Sequence, residues 1–225
     1  MARRARRSPS RRTRSSVSPR AKVVWVALVG ALTGLGGVLV ALDGKQAPRG
    51  DGLSVPALLA QDRSASIESA LKTRRPLDAA RWQYIVIHQT GEHFGSPASI
   101  EAQHRKLRLK GLGHHFVIGN GAGMDDGELH VGFRWLDQYP GAHAAGPKAD
   151  FYNNHAISVC LVGNGDRTAP TRRQMDRLAE LVSTLCREFN IPRERVILHS
   201  DIAPVSDPGR RFPEAEMRQR LAQGV

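Results

Sequence analysis

The first 22 residues of this chain have no aromatic side chain, although they carry eight arginines and Lys22. Proteins that hold single-stranded nucleic acid stack its bases on aromatic rings, so this head lacks that mode of binding. What remains is a positive field able to attract any polyanion, including anionic lipid head groups. No specific nucleic-acid partner is expected. Acidic residues are equally scarce there: Asp43 is the one acid among residues 1–50, against 11 Lys and Arg. The rest of the chain holds 22 basic and 20 acidic residues, so the formal charge of +12 belongs to the head and the remainder is nearly neutral. Cysteine is limited to Cys160 and Cys186. Two cysteines exclude a disulfide-dense scaffold, and neither has metal-site spacing or an evident partner for nucleophilic work. Their apolar neighbours favour buried thiols, although an exported domain leaves a bridge open.

Charge is missing altogether from residues 23–42, twenty residues running from Val23 to Leu42. A helix of that length covers about 30 Å, enough to cross a bilayer core. The end of the run, Val40-Ala-Leu-Asp43, offers no convincing cleavage site, so a single uncleaved transmembrane helix is expected. Nine basic residues precede it and only Lys45 and Arg49 follow closely. That asymmetry keeps the amino terminus cytoplasmic and sends the rest outside, as in a single-pass cell-membrane protein. Arg11-Arg12 resembles a twin-arginine signal, a coincidence to be expected in so arginine-rich a tail. The organisation is therefore a basic cytoplasmic tail (1–22), a transmembrane anchor (23–42), a linker or N-terminal extension (43–80) and a folded domain (81–225). Within the linker, the stretch from Ser66 to Leu71 is the one amphipathic turn.

The domain alternates strand and helix. Apolar runs predict strands at 82–88, 114–118, 128–134 and 156–162, the last being the most apolar and placed centrally. A basic amphipathic helix is expected over 99–109. Thr171 can cap a long helix through 189, with Met175, Leu178, Leu181, Val182 and Leu185 as its apolar stripe. Pro192 breaks before the strand leading to His199, and Pro213 opens a last helix. The fold class is α/β, a mixed central β-sheet flanked by helices.

Two histidines recur in one context: His88 ends the first of these strands, and His199 ends Val196-Ile-Leu-His199, with Asp207 eight residues later. A side chain at the end of a buried strand is held rigidly at the mouth of a sheet. Alone, such a histidine more often packs than binds. The repeated context, followed by the turn-forming Asp207-Pro208-Gly209, makes the three a candidate metal set. Two neutral imidazoles and one carboxylate suit a single zinc ion and leave a fourth position for water, as a hydrolase requires.

Five ordered motifs extend the pattern: Ile85-Val-Ile-His-Gln-Thr90, Gly113-His-His-Phe-Val-Ile118, Gly141-Ala-His-Ala144, Ile157-Ser-Val-Cys-Leu-Val-Gly-Asn164, and His199-Ser-Asp-Ile-Ala-Pro204 with Asp207-Pro-Gly209. On these motifs the stretch from 82 to about 222 resembles the zinc-dependent N-acetylmuramoyl-L-alanine amidases of the type 2 class, which include phage amidase-lysozymes and peptidoglycan recognition proteins. The resemblance implies His88, His199 and Asp207 as ligands of one Zn2+. The implied substrate is the amide joining N-acetylmuramic acid to L-alanine in peptidoglycan or muropeptides. A monomer is expected.

The resemblance also implies roles for two further histidines, and it has two departures. His143 corresponds to a histidine beside the metal that contacts substrate or the tetrahedral intermediate; its other reading is a hydrogen-bonded loop residue. As a fourth ligand it would close the site, so it is assigned a supporting position. His114 stands where many members have tyrosine. It is a candidate general base, with a structural role as the alternative. Period-two alternation puts His114 and His115 on opposite faces, so one of them sees the metal. Val205 stands where several bacterial amidases have a lysine near the carbonyl. Arg210 and Arg211 lie close by but read as solvated charge. Asn153 and Asn164 read as loop-capping residues. These departures keep a second class open, a peptidoglycan-binding module with little or no turnover.

Overall fold

The computed structural model describes residues 52–55 and 63–224. In chain order these form β1 (Gly52–Val55), α1 (Arg63–Ala70), β2 (Tyr84–Gln89), α2 (Pro97–Lys106), β3 (Phe116–Ile118), β4 (Leu129–Gly132), α3 (Phe133–Leu136), α4 (Ala149–His155), β5 (Ala156–Leu161), α5 (Arg172–Phe189), β6 (Val196–Leu198) and α6 (Glu214–Gln223). The strands make one sheet in the order β1-β4-β3-β5-β2-β6. β2 runs parallel to β5 and β6, and β3 parallel to β5, whereas β4 is antiparallel to β1 and β3. This is the mixed sheet expected from the alternation of elements.

Strands covered on both faces need apolar side chains on both, and all six residues of β5 are buried. β5 lies between β3 and β2, the interior position its composition predicts. α5 covers the sheet with Met175, Leu178, Leu181, Val182 and Leu185, all buried. Its start is fixed by a reciprocal cap, in which the Thr171 hydroxyl accepts from Gln174 N and the Gln174 side chain accepts from Thr171 N. Its end is Asn190 in the left-handed conformation.

Several boundaries differ from the sequence expectation. α2 begins at Pro97, where Ser96 caps and proline fills the first helical position, so the start lies before the apolar pattern does. The expected strand over 128–134 stops at Gly132 because Phe133–Leu136 turns helical, driving Trp135 fully inside against Trp82, Phe116 and Phe189. Arg134 follows it inward, donating to the carbonyls of Leu112 and Pro140. His114 and His115 precede β3 instead of lying in it, and His199 opens a single 3-10 turn (His199–Asp201) instead of closing β6. α4 has no amphipathic stripe in sequence; it is held by edge-on contacts of Phe151 and Tyr152 with Tyr84.

The described part of 43–80 packs on the domain as an extension. β1 pairs with β4 at the sheet edge, and Ile67 and Ala70 of α1 are buried in the main core. The tail (1–22) and the expected anchor (23–42) lie outside the described residues. No helix among the described residues is long and apolar enough to cross a membrane.

Candidate metal centre and active site

The register of two parallel strands brings the first two histidines together. Ile87 pairs with Leu198, so the next residue on each chain segment, His88 and His199, stand abreast at the same end of the sheet. Their rings lie 4.5 Å apart. The Nδ1 atoms of both face one carboxylate oxygen, Asp207 Oδ2, at 3.0 Å from His88 and 2.8 Å from His199. The other oxygen of Asp207 accepts from Gln89 N at 2.6 Å, and its carbonyl accepts from Ser200 N at 2.8 Å. Thus the backbone of β2 holds the third donor against the other two.

The loop carrying Asp207 is seated by two glycines in close contact. A Cβ on Gly165 would come 2.0 Å from Pro208 O, and one on Gly209, at φ +100°, would meet Gly165 at 2.2 Å. Neither position has room for a side chain, and the left-handed φ disfavours one at Gly209 independently. The Asp207-Pro208 peptide is cis.

Two of the donors, His88 and Asp207, are held in the protonation states a cation needs. Burial pushes the His88 imidazole below its usual pKa, against the opposing pull of Asp207, so it is neutral near pH 7. Burial raises the Asp207 carboxyl, but the hydrogen bonds from His199 and His88 outweigh it and hold it below the ordinary carboxylate value. One ligand atom from each of His88, His199 and Asp207 lies within 4.8 Å of the others. The three residues fit a single zinc ion in both geometry and donor chemistry.

Around them stands a second ring of histidines. His143 Nδ1 is 3.0 Å from His88 Nε2, a contact in which Nε2–H of His88 would donate to His143 once its Nδ1 ligates a cation. The His143 loop is fixed by Asn153, whose Oδ1 accepts from the backbone N of His143 and of Ala144, each at 2.9 Å. The Nε2 atoms of His143 and His199 are buried without a hydrogen-bond partner. His114 has its ring centroid 5.0 Å from that of His88, and its Nδ1 is 2.6 Å from Ser158 Oγ. Burial, with His88, His104 and His143 nearby, keeps the His114 imidazole neutral, well below its usual pKa.

His115 points the other way. It packs edge-on against Trp82 at 5.0 Å, accepts from Ser158 N at Nδ1 and faces Tyr139 O with Nε2. Burial pushes its pKa down to about 3. The expected division between the two histidines therefore holds, although neither is in a regular strand.

The other sequence candidates separate cleanly. Val205 is 45% exposed, Arg210 pairs with Asp166, and Arg211 is exposed. Asn164 bonds Gly91 O and Asp166 N, a loop-capping use. Sequence reasoning missed Ser158, Gln89 and His104, the last of which accepts from Gly113 N at 2.8 Å with its ring 5.3 Å from His114. Ser158 had a signal, being the one hydroxyl inside the apolar run of β5. A cavity of about 230 Å³ adjoins the centre, lined by Gln89 and Pro208 beside the ligands and by His93, Asn120, Asn164 and Thr168.

Known proteins are similar to this chain in sequence and fold. Residues 78–210 match the sequence profile described as N-acetylmuramoyl-L-alanine amidase. A peptidoglycan recognition protein of Trichoplusia ni is 25% identical over 116 residues, 51% of this chain; the match spans 57% of that relative's length. Among solved structures, the N-acetylmuramoyl-L-alanine amidase LysC of Clostridium intestinale superposes with a TM-score of 0.55 and 27% identity, covering 67% of this chain and 93% of its own. The ectodomain complex of peptidoglycan recognition proteins LCa and LCx bound to tracheal cytotoxin superposes with a TM-score of 0.50 and 20% identity, over 64% of this chain and 86% of that one, a likeness of fold. With more than half of its length inside that profile, the chain belongs to the N-acetylmuramoyl-L-alanine amidase family.

Proposed function

We propose that the domain hydrolyses the amide between N-acetylmuramic acid and L-alanine in peptidoglycan or muropeptides, using one zinc ion held by His88, His199 and Asp207. The observation that carries this reading is the convergence of both Nδ1 atoms on the oxygen of a backbone-anchored carboxylate. When bound, zinc supplies a Lewis acid for the scissile carbonyl and a water acidified to a pKa of about 7. The residues around it do the rest. His143 fixes the tautomer and tilt of His88 through its Nδ1. Gln89 N holds the Asp207 carboxylate so that its second oxygen faces the two imidazoles. The His114 ring lies 5.0 Å from that of His88, bordering the space where a substrate carbonyl or water would sit. The adjoining cavity offers amide and hydroxyl partners of the kind a sugar–peptide needs.

The apolar run 23–42 acts as a single-pass anchor, with the basic tail cytoplasmic and the domain outside the membrane, where such a substrate is found. The charge asymmetry across the run supports this orientation. A monomer suffices, since one chain supplies every donor.

A second reading is a peptidoglycan-binding module of low turnover, favoured by Val205 and by the engagement of Arg210 with Asp166, which leave one carbonyl-stabilising cation missing. The loss of one such donor costs about 2.7–4 kcal/mol of transition-state stabilisation. Release of free stem peptide from muropeptides by the zinc-loaded full chain, stopped by chelator and by His199→Ala, supports the hydrolase. Bound zinc with muropeptide binding but no new amine termini leaves only the binding module.

A further inference from the structure

Ser158 is wholly buried on β5, opposite Val86 of β2 and surrounded by apolar neighbours in its own strand. Its side chain has one hydrogen-bond partner, His114 Nδ1, at 2.6 Å. A serine hydroxyl brings one proton and two lone pairs. If Nδ1 carried hydrogen and donated to Oγ, the hydroxyl proton would be left buried with no acceptor. If Oγ donates to an unprotonated Nδ1, only lone pairs go unused, and an underused acceptor costs less than an orphaned donor.

We propose that Ser158 is a positioning residue that fixes His114 in the Nε2–H tautomer, so that His114 presents a hydrogen-bond donor to the cleft beside His88 and stabilises negative charge developing on a substrate carbonyl oxygen. His114 then does not act as a base, because the nitrogen able to take a proton is turned away and already bonded. The backbone of the same serine fixes the adjacent ring, since Ser158 N donates to His115 Nδ1 and leaves Nε2–H for Tyr139 O. One buried residue thus sets the tautomer of two consecutive histidines, one for packing and one for the site. A donor at this point also bears on the missing cation at Val205, being a second means of stabilising the same oxygen.

The identity of the acceptor rests on the hydrolase reading; the tautomer does not. Long-range proton–nitrogen correlation on the zinc-loaded full chain labelled with 15N-histidine reads it directly, with His114→Gln identifying the resonances. An unprotonated, hydrogen-bonded Nδ1 and a protonated Nε2 are expected at His114; the reverse pattern overturns the proposal. Ser158→Ala should move the Nδ1 resonance and lower kcat about tenfold at unchanged KM, with Ser158→Thr restoring both. A variant that loses thermal stability while the His114 nitrogens stay in place would make Ser158 merely structural. Glutamine keeps an N–H near the Nε2 position but cannot take a proton, so His114→Gln should lose about tenfold in kcat. A loss near the upper end of the ~10²–10⁴ typical of a removed base would refute the donor role. A wild-type chain that binds zinc and hydrolyses nothing overturns the hydrolase reading and the carbonyl as acceptor, while the nitrogen spectrum still decides what Ser158 does.

Discussion

At the scale of single residues, charge and orientation at the metal centre can be separated by substitution. Asp207→Asn keeps the shape of the third donor and removes its charge, whereas His143→Gln leaves all three donors and loosens the one behind His88. Loss of a supporting partner typically costs 10–100-fold in metal affinity. His143→Gln is expected to weaken zinc binding by about that factor and Asp207→Asn by more, as measured by competition with a chromogenic chelator, with both proteins still folded by circular dichroism.

Acid sensitivity is also set residue by residue. His115 and His130 have pKa values pushed down to about 3 and about 4 by burial, and burial lowers His88, His114 and His143 as well. The unfolded chain protonates these rings near the ordinary value of about 6.5, so between that pH and the folded values it binds more protons than the native state. Their contribution is fully present above about pH 6.5 and lost as the pH falls toward 4 and 3, at up to about 1.4 kcal/mol per pH unit for each ring. Thermal melts should fall steeply from pH 6.5 to 4.5, and His130→Gln should have a shallower slope. A melting temperature independent of pH over that range would contradict the burial of these histidines as neutral groups.

At the scale of elements, the amino-terminal extension is part of the fold. β1 completes an edge of the sheet and α1 buries Ile67 and Ala70, so a chain beginning at residue 76 lacks one strand and two core side chains. Removal of a buried isoleucine side chain alone costs roughly 2–5 kcal/mol. A chain starting at 76 is expected to melt well below one starting at 47, or to aggregate through the bared edge of β4. Equal melting temperatures would show that the extension contributes nothing.

The same elements show how far the sequence can be read. His88 and His199 were legible because each follows an apolar run, and parallel pairing of two such runs sets their ends abreast. α5 was legible from Thr171 and a five-residue apolar stripe. α3 was not, because Phe133, Trp135 and Leu136 look as much like strand as helix until Trp135 has aromatic partners to meet. The linker concealed its packing because a four-residue edge strand carries almost no periodicity. Ser158 stayed hidden for a related reason: what it does is decided by His114, far away in sequence.

At the scale of the whole molecule, the nearly neutral domain and the strongly basic head divide the chain into parts of different charge. If 23–42 spans the bilayer, the full chain should sediment with membranes and resist alkaline carbonate, and protease added outside intact spheroplasts should cleave the domain and spare the tail. Deletion of residues 1–42 should release the domain to the soluble fraction with its hydrolysis of muropeptides unchanged. A full chain extracted by carbonate would leave the run without an anchoring role.

The seat of Asp207 has a consequence for the life of the ion. The carboxylate is tied to Gln89 N and the Asp207 carbonyl to Ser200 N, and the loop is locked where two glycines touch, none of which calls for a cation. The socket therefore keeps its outline when emptied. Under the zinc-dependent reading proposed above, occupancy would follow the local supply of the metal without refolding, so scarcity would idle the protein and its return would revive the same molecules.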